Sequence, residues 1–403
     1  MGGTKYIVLV GDGMGDYPVK ELGGKTPLEA AHTPNMDKIA SGHIGMARTI
    51  PEGMEPGSDV ANLSLLGYDP RIYHTGRSPL EAASMGIKLQ THQIAFRLNL
   101  VTLDRQTDNK IIMKSHSSGD ISTSEGQELI EFLKRELVKP DICLYPGVAY
   151  RHLLVWDDGP EKAKTLPPHD FLDQDLSAYL NDNSDRSVKD LIKRSWSLLE
   201  NYPVNLKRQE SGHKPANSIW LWGQGRAPQI PPFRELYGLQ GGVISAVDLL
   251  RGIGVYAGLK PIIVEGATGY IDTNYIGKAE AALANLKTLD FIFLHVEAPD
   301  EAGHGGNPGE KVRAIEYFDE QVVGTILEGV KVFDDFKIMI VSDHLTPIEK
   351  RTHTDEPTPF AWINKEELSG AKTAKIGFTE QVARSSGLFF QEGYALLRAF
   401  LED

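Results

Sequence analysis

Three apolar segments of the chain each end in side chains that can bind a cation. IVLVGDG ends in Asp12, FIFLHVEAPDEAGHGG ends in Asp300 and His304, and KIMIVSDH ends in Asp343 and His344. Open α/β sheets bind their ligands beyond the carboxyl ends of the strands. We therefore expect these carboxylates and imidazoles to meet at one edge of a sheet.

A bound cation is the simplest account of such a cluster, because aligned carboxylates repel and raise one another's pKa unless positive charge neutralises them. His353, in KRTHTDEP, lies a short loop further on and can return to the same edge. Aspartate and histidine together suit Mn²⁺, Zn²⁺ or Mg²⁺. The alternative for any one aspartate is that it caps a helix or a turn. That alternative does not readily explain why three strand ends carry aspartates together with paired histidines. His295 is treated as structural, like His32, His43, His74 and His92, whereas His169 and His213 are left open because they lie in loops.

A candidate nucleophile, Ser58, lies in GMEPGSDVANLSLLGYDP. Pro56 and Gly57 predict a turn, Ser58 is expected to be the N-cap, and residues 59–66 can continue as a helix. The amides and the positive dipole end of a helix attract phosphate. Serine before a helix is usually an ordinary cap, and its hydroxyl needs activation, for example by a metal ion, to act as a nucleophile.

The glycine-rich segments fail to match nucleotide-binding motifs. In GDGMGD, Asp16 occupies the position of the third glycine of the dinucleotide fingerprint. GGKT imitates the end of a P-loop, but Val19 stands where the first glycine of that motif belongs. The sequence therefore contains no recognisable nucleotide motif.

Short β-branched or aromatic runs alternate with longer helix-like segments, which predicts an α/β fold with a doubly wound, mainly parallel sheet. Between residues 79 and 211, HQIAFRLNLVTL alternates like a half-exposed strand and SEGQELIEFLKREL is an amphipathic helix. We therefore predict a discontinuous main domain, residues 1–78 and 212–403, interrupted by a smaller inserted α+β domain, residues 79–211. TPNMDKIA predicts a helix, and the predicted strands are 6–10, 218–222, 243–245, 262–264, 291–296, 337–341 and 360–363.

Composition excludes some classes of protein. With 403 residues and 41% hydrophobic content, the chain can bury a large core, in about two domains. Lys and Arg total 42 against 55 for Asp and Glu, and the net charge of -13 argues against nucleic acid as a partner. The first apolar run is too short for a signal segment or a membrane span, so we expect a cytoplasmic protein without a membrane partner. Cys143, the single cysteine, is expected to be buried and inert.

In combination, GDGMGD, TPNMDKIA, PGSDVANLSLLGYDP, GATGYIDTNYIGKAEAAL, HVEAPDEAGHGG and VSDH resemble the cofactor-independent phosphoglycerate mutases, specifically their archaeal-type branch. The similarity extends over nearly all of the predicted main domain. Those enzymes belong to the alkaline phosphatase superfamily, so the resemblance implies an alkaline-phosphatase-like fold. It also implies a phosphoserine intermediate and two divalent metal ions, without 2,3-bisphosphoglycerate. Mn²⁺ is the first choice of ion, with Zn²⁺, Mg²⁺ and Co²⁺ as alternatives.

Carried over position by position, the resemblance implies two sets of metal ligands. One set is Asp300, His304 and His353. The other set, which includes the nucleophile, is Asp12, Ser58, Asp343 and His344.

In the inserted domain the resemblance is looser. His116, in KSHSSGD, resembles a catalytic histidine that binds substrate and handles protons, and Arg151, in AYRHLLVW, resembles a substrate-binding arginine. Lys278, in DTNYIGK, is a further phosphate-binding candidate in the main domain. The alternatives are a histidine at a loop tip, an arginine in a surface ion pair and a lysine that begins an exposed helix.

The activity that the resemblance implies is the interconversion of 3-phosphoglycerate and 2-phosphoglycerate, with a small phosphorylated acid as substrate. Ser58 would take the phosphoryl group, the glycerate would turn, and its other hydroxyl would receive the group, while the inserted domain excludes water. The alternative is a homoserine kinase on the same serine and metal site, as proposed for some relatives of this branch. The missing nucleotide motif favours the mutase, and the oligomeric state stays open.

Overall fold

The computed structural model describes residues 3–137, 139–370 and 377–403. The strands, numbered in chain order, are β1 (Lys5–Gly11), β2 (His43–Ala47), β3 (Gln93–Arg105), β4 (Ile111–Ser115), β5 (Ile142–Val148), β6 (Arg151–Asp157), β7 (Ser218–Gly225), β8 (Gly241–Ile244), β9 (Lys260–Pro261), β10 (Phe291–Val296), β11 (Phe336–Ser342), β12 (Thr358–Asn364) and β13 (Phe389–Phe390).

The α-helices, numbered in the same way, are α1 (Pro27–Ala30), α2 (Pro34–Ala40), α3 (Ser58–Leu65), α4 (Pro70–Tyr73), α5 (Arg77–Ser84), α6 (Thr123–Glu136), α7 (Ser177–Asn181), α8 (Arg186–Leu199), α9 (Pro203–Glu210), α10 (Phe233–Tyr237), α11 (Asp248–Tyr256), α12 (Tyr275–Leu286), α13 (Ala298–Gly305), α14 (Pro308–Tyr317), α15 (Gly324–Gly329), α16 (Lys365–Gly370), α17 (Glu380–Ser385) and α18 (Leu396–Glu402). Short 3₁₀ helices are Lys20–Leu22, Pro168–Phe171, Val330–Val332 and Gly393–Ala395, and Phe318–Val323 is π-helical. None of the helices among the described residues has the length and apolar character needed to cross a bilayer.

The elements form two compact units. Unit 1 comprises Met1–His74 and Gln229–Asp403, and unit 2 is Thr75–Pro228. Residues 75–78 and 212–228, which the sequence assigned to the main domain, lie in unit 2. The second segment contains β7, which pairs with β3 along most of its length. A short apolar strand does not reveal in its own sequence which sheet it joins.

Unit 1 is built on a sheet of eight strands in the order β13-β2-β12-β11-β1-β10-β8-β9. β12 runs antiparallel to β11 and β2, and the other neighbouring pairs are parallel. The prediction of an α/β fold with a mainly parallel sheet is therefore confirmed. The strand predicted over residues 262–264 is wrong, since β9 covers only Lys260–Pro261 and ends before that segment.

The central strand β1 explains why the sheet forms. Its sequence, KYIVLVG, is rich in β-branched residues, and residues 7–10 are all fully buried. Continuous burial is the pattern of a parallel strand that is covered on both faces. Ile7 and Leu9 belong to a core that also contains Ile292 and Leu294 of β10 and Ile340 of β11.

Unit 2 contains a five-stranded antiparallel sheet, in which β3 pairs with β4, β6 and β7 and β6 pairs with β5. Its core includes residues from β3, α6 and α8. Helix α6 begins with a capping box between Ser122 and Glu125. The prediction that Cys143 is buried is wrong: Ile142 and Leu144 of β5 are buried, so Cys143 between them points away from the core and is exposed.

Candidate active site

The candidate active site of unit 1 lies at the carboxyl ends of three adjacent strands. Gly11, the last residue of β1, pairs with Val296 of β10 and with Ser342 of β11. Asp12 directly follows Gly11, and Asp343 directly follows Ser342. The two aspartates therefore lie at the same level of the sheet. After β10 the chain enters α13, which carries the next two predicted ligands.

The first predicted set of ligands, Asp300, His304 and His353, comes together. Asp300 and His304 are four residues apart on α13 and so share one face of that helix. His304 Nε2 lies 3.0 Å from His353 Nε2 and 3.1 Å from Asp300 Oδ2. A bridge between Leu345 and Thr354 folds the chain back after β11 and returns His353 to the site.

These three side chains fit a divalent cation. One ligand atom from each of Asp300, His304 and His353 lies within 4.8 Å of the other two. His304 Nδ1 lies 3.0 Å from the backbone carbonyl of Arg351, an outer contact of the kind that orients a ligating imidazole. Two imidazole nitrogens and a carboxylate that converge in this way are typical ligands of Mn²⁺ or Zn²⁺.

The second predicted set, Asp12, Ser58, Asp343 and His344, also converges. His344 Nε2 lies 3.3 Å from Asp12 Oδ1, 3.6 Å from Asp343 Oδ2 and 3.1 Å from Ser58 Oγ. All four side chains are buried. Asp12 Oδ1 has no hydrogen-bond partner among the described residues, although a buried carboxylate oxygen normally has one. The donor set again fits a cation.

Ser58 begins a helix, but it is not the N-cap that the sequence predicted. Gly57 is the N-cap of α3, and Ser58 is the first helical residue. An ideal Cβ on Gly57 would lie 2.6 Å from the carboxylate of Asp59, so a larger residue there would require that side chain to shift. The Ser58 hydroxyl is therefore free to face His344 instead of closing the end of its own helix.

Burial dominates the electrostatics of the second ligand set. Burial and the charges of Asp343 and Asp300 raise the pKa of Asp12 well above its usual range. Burial also lowers the pKa of His344 and therefore favours the neutral ring. The neutral imidazole is the form that binds metal, and a cation would offset the repulsion among the carboxylates.

In the first ligand set, hydrogen bonds outweigh burial. Burial alone would raise the pKa of Asp300, but hydrogen bonds from His304 and His353 bring that pKa well below its usual range. The same contact with Asp300 raises the pKa of His304 to about 9. Asp300 is thus held as an anion, and a cation here would have to displace a proton from His304.

Sequence reasoning gave His295 only a structural role, yet the structure brings it to the candidate metal ligands. Its Nε2 lies 2.8 Å from Asp12 Oδ2, and its Nδ1 lies 3.3 Å from Ser245 Oγ. Asp12, His295 and Asp343 also satisfy the distances of a metal-binding group. The signal in the sequence is that His295 interrupts the apolar strand FIFLHV one residue before its end.

Lys278, the phosphate-binding candidate of unit 1, lies beside the backbone of His295. It is fully buried in α12, and its Nζ donates a hydrogen bond of 3.3 Å to the backbone carbonyl of His295. Burial lowers the pKa of Lys278 to about 8, although the nearby Glu297 acts in the opposite direction. This burial contradicts the alternative of an exposed start of a helix, and the phosphate-binding role stays a prediction.

In unit 2, the two predicted substrate-binding residues converge on one aromatic ring. The ring of His116 lies 5.7 Å from that of Tyr150, and the guanidinium of Arg151 lies 5.9 Å from the same ring. His116 is partly buried, and burial lowers its pKa. Arg151 is exposed. A neutral imidazole and an accessible cation are therefore close neighbours on this unit.

Further basic and aromatic side chains extend this group, and sequence reasoning missed most of them. The ring of His169 lies 6.3 Å from that of His116 and 5.4 Å from that of Trp222. The guanidinium of Arg97 lies 4.3 Å from the Trp222 ring and forms an ion pair of 2.8 Å with Glu81. We call this set the basic cluster, which consists of Arg97, His116, Tyr150, Arg151, His169 and Trp222.

A mainly parallel α/β sheet with Asp and His side chains beyond its carboxyl ends, beside a buried serine at the start of a helix, is consistent with the alkaline-phosphatase-like fold that the sequence predicted. A family model described as 2,3-bisphosphoglycerate-independent phosphoglycerate mutase matches residues 40–205. The chain is 53% identical to the probable 2,3-bisphosphoglycerate-independent phosphoglycerate mutase of Geobacter sulfurreducens over 99% of this chain and 100% of the relative. It is 52% identical to the 2,3-bisphosphoglycerate-independent phosphoglycerate mutase of Methanosarcina barkeri, over 95% of this chain and 96% of the relative. The chain belongs to the 2,3-bisphosphoglycerate-independent phosphoglycerate mutase family.

Solved structures agree with this assignment. The PH0037 protein from Pyrococcus horikoshii superposes with a TM-score of 0.83 at 31% identity, over 99% of this chain and 97% of that one. The cofactor-independent phosphoglycerate mutase from Thermoplasma acidophilum superposes with a TM-score of 0.65 at 25% identity, over 99% of both chains. The family and the fold that the sequence predicted are therefore confirmed.

Proposed function

We propose that this enzyme interconverts 3-phosphoglycerate and 2-phosphoglycerate in the cytoplasm through a phosphoserine at Ser58. The observation that carries the proposal is the position of the Ser58 hydroxyl, 3.1 Å from His344 Nε2 and among the converging carboxylates of unit 1. Membership of this mutase family and the buried serine in such a site together support Ser58 as the nucleophile that the reaction needs.

Two divalent ions fit the two ligand sets. Asp300, His304 and His353 would hold one ion, and Asp12, Ser58, Asp343 and His344 would hold the other. When bound, such ions lower the pKa of a coordinated hydroxyl and offset the negative charge of a phosphoryl group. We propose Mn²⁺ as the ion, with Zn²⁺, Mg²⁺ and Co²⁺ as alternatives, because imidazole and carboxylate ligands are mixed in both sets.

The protein groups then divide the reaction into two transfers. In the first, Ser58 Oγ loses its proton and attacks phosphorus, the bond from phosphorus to the substrate oxygen breaks, and that oxygen takes up a proton. In the second, the other hydroxyl of the glycerate loses its proton and attacks the phosphorus of the phosphoserine, the bond from phosphorus to Ser58 Oγ breaks, and Ser58 Oγ regains a proton. The helix amides at the start of α3 favour negative charge beside Ser58 throughout.

The basic cluster supplies what a small anionic acid requires. We propose that Arg151 binds the carboxylate or phosphate of the substrate, because its guanidinium can donate two parallel hydrogen bonds to either group. We propose that His116 exchanges the proton of the glycerate hydroxyls, since its lowered pKa keeps the ring neutral and able to accept a proton near neutral pH. The partly buried Arg97 would add positive charge behind them.

The proposal is tested by giving the purified enzyme and Mn²⁺ either 3-phosphoglycerate alone or homoserine with ATP, and following the products by ³¹P NMR. We expect 2-phosphoglycerate from the first mixture without added 2,3-bisphosphoglycerate, and no phosphohomoserine from the second. Ser58→Ala should abolish turnover. Ser64→Ala is the matched control, because it removes another buried hydroxyl of α3, one that contacts the carbonyl of Thr49. Turnover of homoserine alone would contradict the proposal.

A further inference from the structure

Lys311, in α14, is a fully buried lysine to which neither sequence reasoning nor the reaction assigns a role. Its Nζ donates hydrogen bonds of 3.1 Å to the carbonyl of Gly15, 2.8 Å to Asp16 Oδ2 and 2.9 Å to the carbonyl of Thr346. A lysine ammonium has three donors, so each one has an acceptor. The charge is thus fully paired in a place where an unpaired charge would be very costly.

The three acceptors belong to the two loops that carry metal ligands. Gly15 and Asp16 lie in the loop that begins with Asp12 after β1, and Thr346 lies in the loop that begins with Asp343 after β11. The Asp16 carboxylate also accepts hydrogen bonds of 3.2 Å from the backbone N–H of Ile348. Lys311 and Asp16 together therefore tie one loop to the other.

The connection continues to both ligand sets through Thr346. Its hydroxyl donates to Asp300 Oδ1 and lies 3.3 Å from His344 Nδ1. Lys311 donates a hydrogen bond to the backbone carbonyl of Thr346. Thr346 therefore links Lys311 to one candidate ligand of each set, Asp300 and His344.

A buried ion pair is a poor explanation for stability alone. The cost of removing two charges from water can exceed their attraction, and well-packed apolar pairs are often as stable. Burial lowers the pKa of Lys311, and the Asp16 carboxylate only partly opposes that shift. The ion pair of Lys311 and Asp16 joins two loops that carry candidate metal ligands. Positioning of those ligands explains the pair better than stability does.

We propose that Lys311 is a positioning residue that fixes the loops after β1 and β11 so that both ligand sets are preformed for metal. This role rests on the proposed function in one respect, namely that these side chains bind divalent ions. Groups that orient metal ligands from outside typically account for 10–100-fold in metal affinity. Lys311 touches neither substrate nor the reacting atoms, so its effect should appear first in metal binding.

The test measures Mn²⁺ binding by titration calorimetry on chelator-treated enzyme, with no substrate present. Lys311→Met removes the ammonium, and the double variant Lys311→Met/Asp16→Asn also removes the carboxylate charge that would be left unpaired. Asp319→Asn is the matched control: this buried carboxylate of unit 1 binds the backbone N–H groups of Asn35 and Met36 at the start of α2. It tests whether the loss of any buried carboxylate weakens metal binding.

We expect the double variant to fold, by circular dichroism, and to bind Mn²⁺ about tenfold or more weakly than the wild type, whereas Asp319→Asn keeps wild-type affinity. The KM for 3-phosphoglycerate at saturating Mn²⁺ should change less than the affinity for the metal. If Lys311→Met does not fold, the Mn²⁺ affinity of the double variant is compared with that of the wild type. Asp16→Asn, which keeps the lysine, is then measured as a less disruptive substitution.

The two ways of failing are distinguishable. If the wild type binds Mn²⁺ and the double variant binds it equally well, the positioning role of Lys311 is overturned and the metal sites stand. An equal loss of affinity in Asp319→Asn would also overturn it, because the effect would then be general destabilisation. If the wild type itself binds no divalent ion, the proposed metal-dependent function fails, and the role of Lys311 fails with it.

Discussion

The side-chain amide of Asn62 donates a hydrogen bond of 2.8 Å to Asp343 Oδ2, and the same nitrogen donates one of 2.8 Å to the carbonyl of Ser58. Asn62 is fully buried on α3, four residues after Ser58, so one turn of helix presents the hydroxyl and the amide on the same face. The candidate nucleophile and a candidate metal ligand are therefore held in a fixed relation through one side chain.

Asn62→Ala should lower kcat about 10–100-fold, since the loss of an outer hydrogen bond to a ligating carboxylate typically has that effect. The KM for 3-phosphoglycerate should change little, because Asn62 donates to protein groups. Steady-state kinetics at saturating Mn²⁺ measures both. Asn205→Ala is the control: this buried amide binds the carbonyls of Leu199 and Ala216 in unit 2, so it should cost stability and leave kcat near the wild-type value. An unchanged kcat in Asn62→Ala would contradict the positioning of Asp343.

The two ligand sets predict the metal content of the enzyme. We expect the wild type to bind about two equivalents of Mn²⁺, because each set can satisfy one ion. Asp300→Ala and Asp343→Ala should each lose about one equivalent, as each removes a carboxylate from one set. Inductively coupled plasma mass spectrometry after gel filtration measures the content, with Asp319→Ala as the control. Full occupancy in both site variants would show that the ions bind elsewhere.

Arg151→Met should raise the KM for 3-phosphoglycerate about tenfold or more, because a charge-assisted hydrogen bond to an anion contributes about 1.5–3 kcal/mol. The kcat should fall less. Arg186→Met is the control, since Arg186 is also exposed on unit 2 and only faces Asp190 at 3.7 Å. Equal KM values for the two variants would remove Arg151 from the substrate site.

The pH dependence of stability should reveal a buried histidine in unit 2. Burial lowers the pKa of His152 to about 3, and its Nδ1 accepts a hydrogen bond of 2.9 Å from the backbone N–H of Gly147. Below the ordinary pKa of about 6.5, the unfolded chain binds a proton that the folded chain does not, so stability falls between about pH 6.5 and pH 3. By about pH 5 the loss is about 2 kcal/mol.

The measurement is urea unfolding at about pH 7 and about pH 5, followed by tryptophan fluorescence, because four of the five tryptophans lie in unit 2. His152→Asn keeps an acceptor for Gly147 and does not titrate, so its loss between the two pH values should be smaller than that of the wild type. His92→Asn removes an exposed histidine of the same unit and should behave like the wild type. Identical pH dependence in all three proteins would contradict the argument.

The candidate metal ligands could be predicted from the sequence because they directly follow apolar strands or lie just beyond them. Once Asp12 and Asp343 end neighbouring parallel strands, the sheet places them at the same level without further information. Ser58 was found for a similar reason, since its segment predicted a turn followed by a helix. Its place in that helix was not predicted, because Gly57 takes the N-cap instead.

Contacts between distant segments could not be predicted in this way. Arg97 lies in the middle of β3, and only the pairing of β3 with β7 brings it to Trp222. Lys311 reads as an ordinary charged residue of a helix, and its three acceptors are separated from it by 35 residues or more along the chain. The sequence of one segment does not contain the partner that a side chain meets after folding.

The most direct test of the phosphoserine at Ser58 is rapid acid quenching of the enzyme with Mn²⁺ and 3-phosphoglycerate, followed by mass spectrometry of the peptide that contains Ser58. We predict a phosphorylated peptide within one turnover, with the group on Ser58, and none in Ser58→Ala. Ser64→Ala should show the same phosphopeptide as the wild type. Production of 2-phosphoglycerate at the wild-type rate by Ser58→Ala, without phosphorylation of this peptide, would contradict the account.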